Sequence, residues 1–190
     1  MFGAEAAAAI IVIAALWVAF AAALAILAAR RIRRAQSVLG ATRSMIHALP
    51  LIDADPFLVI NSDNYWVDGP TDTLRLLASQ WDGDAMDALL LLVPHARAYN
   101  HRALGDFHMD RFGRLQRRSR SKVAPYVYTG IQLVSKRLLR GAPTGPFSTN
   151  ILWDRAMAEG RCFGAVHQGL WFDVGTPTAI RETEATLVDA

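Results

Sequence analysis

Apolar and polar positions follow two different rules along this chain. Over residues 6–29 there is no charged residue, no Gly and no Pro, and Ile, Val, Leu, Trp17 and Phe20 punctuate an alanine background. That is long enough for the roughly 20 helical residues that cross a bilayer core. Arg30, Arg31, Arg33 and Arg34 follow at once, the flank expected on the cytoplasmic side of a span. The stretch is too long, and its charges lie on the wrong side, for a cleaved signal peptide. Residues 1–35 therefore predict one long apolar N-terminal helix, a single-pass anchor that holds the globular part at the cytoplasmic face of the membrane. Two other readings stay open, because more than half of these positions are alanine. One is a helix packed on protein or lying at a membrane surface, with the chain cytoplasmic. The other is a stretch that came from a rearranged reading frame.

Beyond Arg34 the apolar runs shorten. Residues 36–47 read as a linker or helix, and residues 48–190 as one globular portion. Phe57–Ile60 is a wholly apolar run bounded by Pro56 and by Asn61, Ser62, Asp63 and Asn64. Such a run suits a strand buried on both faces, as in a parallel sheet. Residues 71–80 carry leucines and charges at helical spacing and predict a surface helix. Residues 86–93 form a second buried strand that ends at Pro94. Residues 105–109 and 114–117 flank Asp110, Arg111, Phe112 and Gly113, a hairpin pattern in which Gly113 supplies a positive φ. Tyr126–Val134 is rich in β-branched and aromatic residues, with Thr129 and Gly130 in its middle. A glycine inside a strand marks a bulge or a close backbone approach to a ligand. Ser148 can cap a helix that stops near Gly160. Residues 161–167 and 170–174 are the last strands, and Thr176 with Pro177 opens a closing helix. Strands and helices alternate in a mixed α/β order.

Charge and cysteine content narrow the picture. The formal net charge is +3, and the four arginines after the apolar run alone exceed it, so a nucleic-acid partner is not expected. A second basic cluster, Arg114, Arg117, Arg118, Arg120 and Lys122, reads as a solvated hairpin edge. Cys162 is the single cysteine. It can form neither an intrachain disulfide nor a cysteine-based zinc site. It reads as a small buried strand residue in a reducing compartment.

Two aspartates carry the candidate chemistry. Asp63 follows the Phe57–Ile60 strand, and Asp173 closes the last strand just before a helix. Open α/β sheets place ligands outside the carboxyl ends of their strands. Two carboxylates converging there make a natural Mg²⁺ site, because that ion takes hard oxygen ligands and keeps one or two carboxylates beside substrate phosphates. Each aspartate alone reads equally well as a turn or cap residue.

Several stretches together resemble a known family. They are Phe57 through Asp63; Met86 through Pro94; Gly105, Asp106 and Phe107; Tyr126 through Gln132; Pro146 through Trp153; and Gly169 through Pro177. Their order and content are similar to the sugar-1-phosphate nucleotidylyltransferases, in the branch of the N-acetylmuramate-1-phosphate uridylyltransferases of cell-wall recycling. The resemblance runs from about residue 48 to residue 187. It implies the C-terminal portion of a partial Rossmann-like, GT-A-like mixed sheet with flanking helices. It implies transfer of a nucleotidyl group from a nucleoside triphosphate, UTP in that branch, to a sugar 1-phosphate. By position, Asp63 and Asp173 would be the catalytic residues and the Mg²⁺ ligands, and Asn61, Gly105, Thr129 and Gly130 would bind substrate. The nucleophile is already an anion, so none of His47, His95, His101, His108 and His167 is given a catalytic role. All five read as surface or hairpin residues.

The same resemblance exposes a gap. The family's nucleotide-binding half opens with a strand, a glycine-rich loop bearing an arginine, and a Pro-Lys pair. Ahead of Asp63 this chain has only Gly3 and Gly40. An acidic-Thr-Gly-Gly stretch that contacts the base is replaced by Gly40, Ala41, Thr42, Arg43 and Ser44. Backbone amides of a glycine loop bind phosphate oxygens, so weak or absent turnover is expected. The alternative is a non-catalytic, membrane-tethered fragment that binds a sugar phosphate or a protein partner. Such a partner would cover the sheet edge left open beside Phe57–Ile60.

Overall fold

The computed structural model describes residues 45–101, 103–144 and 147–188. The expected N-terminal helix, its membrane contact over residues 6–29, its arginine flank and all but the end of the 36–47 linker lie outside the described residues. Among the described residues, no helix is long and apolar enough to cross a membrane. The expected single-pass localisation at the cytoplasmic membrane is corrected on that finding, and the helices described below all belong to an α/β domain.

Among the described residues there are nine strands: β1 (Phe57–Ile60), β2 (Asn64–Val67), β3 (Ala88–Pro94), β4 (Ala98–Tyr99), β5 (Phe107–Met109), β6 (Leu115–Arg117), β7 (Tyr126–Val134), β8 (Cys162–Val166) and β9 (Leu170–Asp173). Three α-helices join them: α1 (Thr73–Gln80), α2 (Asn150–Ala158) and α3 (Pro177–Val188). The main sheet runs β6-β5-β7-β3-β8, with β1 also paired to β7. A second sheet runs β2-β9-β4. β3 and β8 are parallel, whereas β7 is antiparallel to both β1 and β3. The sheet is thus mixed, as expected.

Why the apolar runs become central strands is visible in β3. Its side chains alternate between faces, as the period of two requires. Leu90 and Leu92 join a core with Phe57, Phe107, Leu152, Trp153 and Cys162, beneath α2. Leu89 and Leu91 join a second core with Leu77, Ile131, Leu133 and Phe163, beneath α1. All four leucines are at most 1% exposed. Burying each is worth about 1.5–3 kcal/mol, and only a strand covered on both faces can gain this from consecutive residues.

The helix ends follow local chemistry. Asp72 caps α1 by accepting from the Arg75 N–H at 2.8 Å, as short polar side chains do at that position. Thr176 caps α3 by accepting from the Ala179 N–H at 3.1 Å. Ser148 accepts from the Asn150 N–H at 3.3 Å, and Gly160, at φ 68°, lies just past the end of α2. The predicted hairpin is present, with Gly113 at φ 82°.

β1 departs from expectation. It was read as buried on both faces, yet it pairs antiparallel with β7 alone among the described strands. Leu58 and Ile60 are 41% and 44% exposed. No described element covers the outer side of this strand. β2 was missed altogether, because Asn64, Tyr65, Trp66 and Val67 offer only a short alternation directly after a turn-like tetrapeptide.

The histidines need one correction. His167 is not a surface residue but is 1% exposed. Its Nδ1 lies 3.2 Å from the Thr73 hydroxyl and its Nε2 lies 3.0 Å from the Leu170 carbonyl. Cys162 is buried at 1% exposure, as predicted, and burial pushes its thiol up to about 12.

Candidate active site

A cavity of about 850 Å³ opens where β1 ends and β2 begins. Its wall includes Asn61, Asp63, Gly130 and Asp173, together with Asp106, Arg117, Tyr128 and Trp153.

Asp63, in the turn that leads into β2, and Asp173, the last residue of β9, come together. β2 and β9 pair antiparallel, with Asn64 opposite Asp173. One step further, the Val174 N–H donates to the Asp63 carbonyl at 3.0 Å. The Gly175 N–H donates to the Asp173 carboxylate at 3.1 Å. A Cβ built on Gly175 would lie 3.2 Å from Asp173 Oδ1 and 3.7 Å from Asp63 Oδ2. Both carboxylates therefore face one point beside the Gly175 backbone. Asp63 is exposed and Asp173 is half-buried, so both can accept a ligand from the cavity.

The other sequence-derived candidates divide. The Asn61 N–H donates to the Gly130 carbonyl at 2.9 Å, extending the β1–β7 ladder into the cavity wall. Gly130 has φ 86°, and a Cβ there would lie 2.2 Å from Asn64 Nδ2. The close approach at this glycine, expected to be to a ligand, is in this structure to the Asn64 side chain. Thr129 does not reach the cavity. Its side chain is fully buried, and its hydroxyl donates to the Leu91 carbonyl at 2.9 Å. Strand alternation turns this side chain, expected beside the substrate, into the sheet interior. Gly105 also stands back from the wall. Its φ of 78° and a virtual Cβ only 2.2 Å from the Ala124 carbonyl explain the glycine by chain packing, and it is Asp106 beside it that lines the cavity.

Four lining residues were not singled out from sequence. Asp106 accepts from the Tyr128 N–H at 2.9 Å, clamping β5 to β7. Trp153 donates to Gln132 Oε1 at 3.0 Å and packs edge-on against Tyr128 and Phe107, with ring centroids 4.8 and 6.1 Å away. The Tyr128 hydroxyl is buried and has no hydrogen-bond partner among the described residues. Burial pushes this phenol well above its ordinary range, and Cys162 and the nearby Asp63 add to the effect. It stays protonated, a neutral donor held beside the carboxylates. Arg117 was read as part of a solvated edge, yet it lies against the cavity and donates to Asp154 at 2.6 Å. A lone aromatic or arginine in a strand gives no sequence signal of this kind, because only the packing of β5, β6, β7 and α2 brings the four together.

No profile of a known protein family matches the chain. It is 33% identical over 144 residues to the N-acetylmuramate alpha-1-phosphate uridylyltransferase of Caulobacter vibrioides, a match that covers 76% of this chain and 60% of that protein. The structure is similar to the inositol-1-phosphate CTP transferase from T. maritima, with a TM-score of 0.59 at 17% identity, covering 80% of this chain and 62% of the other. It is also similar to HddC from Yersinia pseudotuberculosis, with a TM-score of 0.55 at 20% identity over 74% of this chain and 59% of the other. At these identities the structural likeness is one of fold. The chain spans about three-fifths of the length of the proteins it matches, and over that span it belongs to the sugar-1-phosphate nucleotidylyltransferase family.

Proposed function

We propose that this chain carries the sugar-phosphate side of a uridylyltransferase site and that Asp63 and Asp173 serve there as ligands of a catalytic Mg²⁺. In the reaction, an oxygen of a sugar 1-phosphate attacks the α-phosphorus of UTP. A new P–O bond forms, the α–β bridge breaks, and pyrophosphate leaves. Such chemistry depends on positioning and on neutralising phosphate charge. The observation that carries the reading is the convergence of the two carboxylates beside Gly175, on the wall of a cavity large enough for a sugar phosphate.

The donor set fits the ion. Both groups are hard carboxylates, and no cluster of three or more His, Cys, Asp or Glu residues suited to a metal occurs among the described residues. Mg²⁺ binds through one or two carboxylates, waters and substrate phosphates rather than in an all-protein cage. When bound, it supplies charge neutralisation at the phosphates. The chain's own residues do the rest. Asn61 and the Gly130 backbone border the sugar, Gly105 sets the turn that presents Asp106, and Tyr128 offers a neutral hydroxyl donor.

Turnover by this chain is proposed to be weak or absent. The sequence ahead of Asp63 holds no glycine-rich loop, and losing even one such donor costs about 10²–10³ in rate. This observation favours a second reading, a non-catalytic sugar-phosphate-binding chain. In that reading a protein partner covers the open edge of β1.

Calorimetry with sugar 1-phosphates in Mg²⁺, paired with pyrophosphate release in the presence of UTP, tests both readings. Binding that depends on Asp63, with little pyrophosphate released, is expected. Robust turnover would overturn the impairment. Absence of any sugar-phosphate binding would overturn the site assignment.

A further inference from the structure

We propose that Asp68, Thr73 and His167 form a proton-operated clasp, in which the Thr73 hydroxyl faces Asp68 while the His167 ring carries two protons and turns to His167 when the ring carries one. The clasp fastens the end of the β2–β9 pairing remote from Asp63 and Asp173, just past the Val67–Leu170 pair.

Two turns meet there at backbone contact. A Cβ on Gly169 would overlap the Val67 carbonyl, and a Cβ on Gly69 would lie 2.8 Å from the Gln168 carbonyl carbon. The turn after β2 and the turn between β8 and β9 are thus pressed together too closely for a side chain at either glycine. Three neighbouring side chains bridge them. The Thr73 N–H and hydroxyl both donate to Asp68 Oδ1. The same hydroxyl lies 3.2 Å from His167 Nδ1, and His167 Nε2 lies 3.0 Å from the Leu170 carbonyl. Thr73 and His167 are each 1% exposed, so the junction is shut off from bulk water, with the exposed Asp68 at its rim.

Counting protons gives the device. A carbonyl only accepts, so Nε2–H donates to Leu170. A hydroxyl has one proton. Given to Asp68, that proton leaves an oxygen lone pair toward His167, and Nδ1 must then donate as well. All three bonds therefore coexist only with an imidazolium. When the ring gives up its Nδ1 proton to solvent, Nδ1 becomes an acceptor, and the hydroxyl satisfies it only by leaving Asp68. Asp68 does not supply the missing proton. The hydroxyl and then the amide of Thr73 hold its carboxyl below the ordinary value of 3.8, against burial and with lesser help from Trp66 and His167. Two charged groups face His167 from neighbouring elements. One is Asp68, across the hydroxyl. The other is Arg97 in the His95–Arg97 turn after β3, whose guanidinium is occupied with the Gln168 and Gly169 carbonyls. The positive N-terminal end of α1 opposes a cation beside it, and Asp72, the cap of that helix, offsets this.

The test is nuclear magnetic resonance on the full chain, isotope-labelled in carbon and nitrogen, from about pH 5 to about pH 9, the span in which imidazoles titrate. The Asp68 carboxyl carbon should shift at the same midpoint as the two ring nitrogens of His167, because the hydroxyl leaves one group for the other. Exchange of the Thr73 amide, corrected for its intrinsic rate, should be about tenfold slower on the acid side of that midpoint, as a second hydrogen bond to a charged acceptor implies. Thr73→Ser keeps the hydroxyl and should keep the coupled shift. Thr73→Val removes it and should leave Asp68 silent through the imidazole transition. Separate midpoints in the unaltered chain would overturn the proposal, and so would a ring that holds one protonation state throughout. A coupled shift that survives in Thr73→Val would overturn it by assigning the coupling to charge acting through space. The titration of the unaltered chain stands as a test even if Thr73→Val fails to fold.

Discussion

The carboxylates of Asp63 and Asp173 face the same point because β9, which ends at Asp173, pairs with β2, which begins just after Asp63: the Val174 N–H donates to the Asp63 carbonyl at 3.0 Å. Each aspartate sits at the end of its pairing, where the backbone turns and side chains are free to lean into the cavity. Replacing either by Asn keeps the shape and removes the charge. Binding of Mn²⁺ as a paramagnetic stand-in for Mg²⁺ should fall about tenfold or more in each variant, since a charged contact contributes roughly 1.5–3 kcal/mol. Electron paramagnetic resonance titration reads this directly. Unchanged affinity in both variants would remove the proposed metal site.

Gly175 is the floor on which the two carboxylates meet. A methyl group there would stand 3.2 Å from Asp173 Oδ1 and 3.7 Å from Asp63 Oδ2. Gly175→Ala should therefore weaken Mn²⁺ binding several-fold. Gly175 is exposed, so the thermal midpoint should hold to within roughly 0.5 kcal/mol of stability, as at other surface positions. A drop in stability without a loss of metal affinity would contradict this account.

Gly130 plays a different part. Its φ of 86° is one that residues with a Cβ rarely adopt, and a Cβ would overlap the Asn64 side chain at 2.2 Å. Gly130→Ala should destabilise the domain by about 1–3 kcal/mol. Adding Asn64→Ala relieves the overlap but leaves the backbone strain, so the double variant should recover part of the loss. Chemical denaturation of the two single variants and the double variant checks this.

Asp87 governs the acid side of stability. It is 6% exposed and accepts from Arg137 and from Arg161, the latter at 2.7 Å. Burial pushes its carboxyl up, but the hydrogen bonds and charges of Arg161 and Arg137 outweigh that and hold it below its ordinary value of 3.8. A carboxylate depressed on folding contributes stability that is fully present above its unfolded pKa and is lost as pH falls through the folded one. The chain should therefore lose this contribution below about pH 4. Asp87→Asn should cost about 2 kcal/mol near neutral pH, discounted because both arginines are partly exposed, and should flatten the acid limb of stability against pH. Thermal melts from pH 7 down to pH 3 measure both effects.

How much was legible in the sequence varies by element. The runs at Phe57–Ile60, Ala88–Pro94 and Tyr126–Val134 announced strands, because consecutive apolar residues bounded by turn formers have few other uses. The cap at Thr176 and the hairpin glycine at 113 were visible because each answers to the backbone a few residues away, whereas the Asp72 cap was read only as a charge of its helix. Asp63 and Asp173 were legible as candidates through their motifs, and Cys162 through its apolar neighbours. His167 and Arg117 were misjudged, and the inward turn of Thr129 was not foreseen. Whether a polar side chain in a strand points to solvent, core or cavity depends on what packs over it, and that partner lies up to 94 residues away in the case of Thr73 and His167.

The amino-acid sequence by itself determined the α/β class, the positions of the central strands along the chain and the two acidic candidates, since periodicity, turn chemistry and motif order are written within short windows. Tertiary structure alone decided that the carboxylates share one point, that β1 pairs only with β7 among the described strands, and that Arg117, Trp153 and Tyr128 line the same cavity. Those facts come from pairing between strands far apart in the chain, where long-range burial and hydrogen bonding select one arrangement among many that each segment would permit locally.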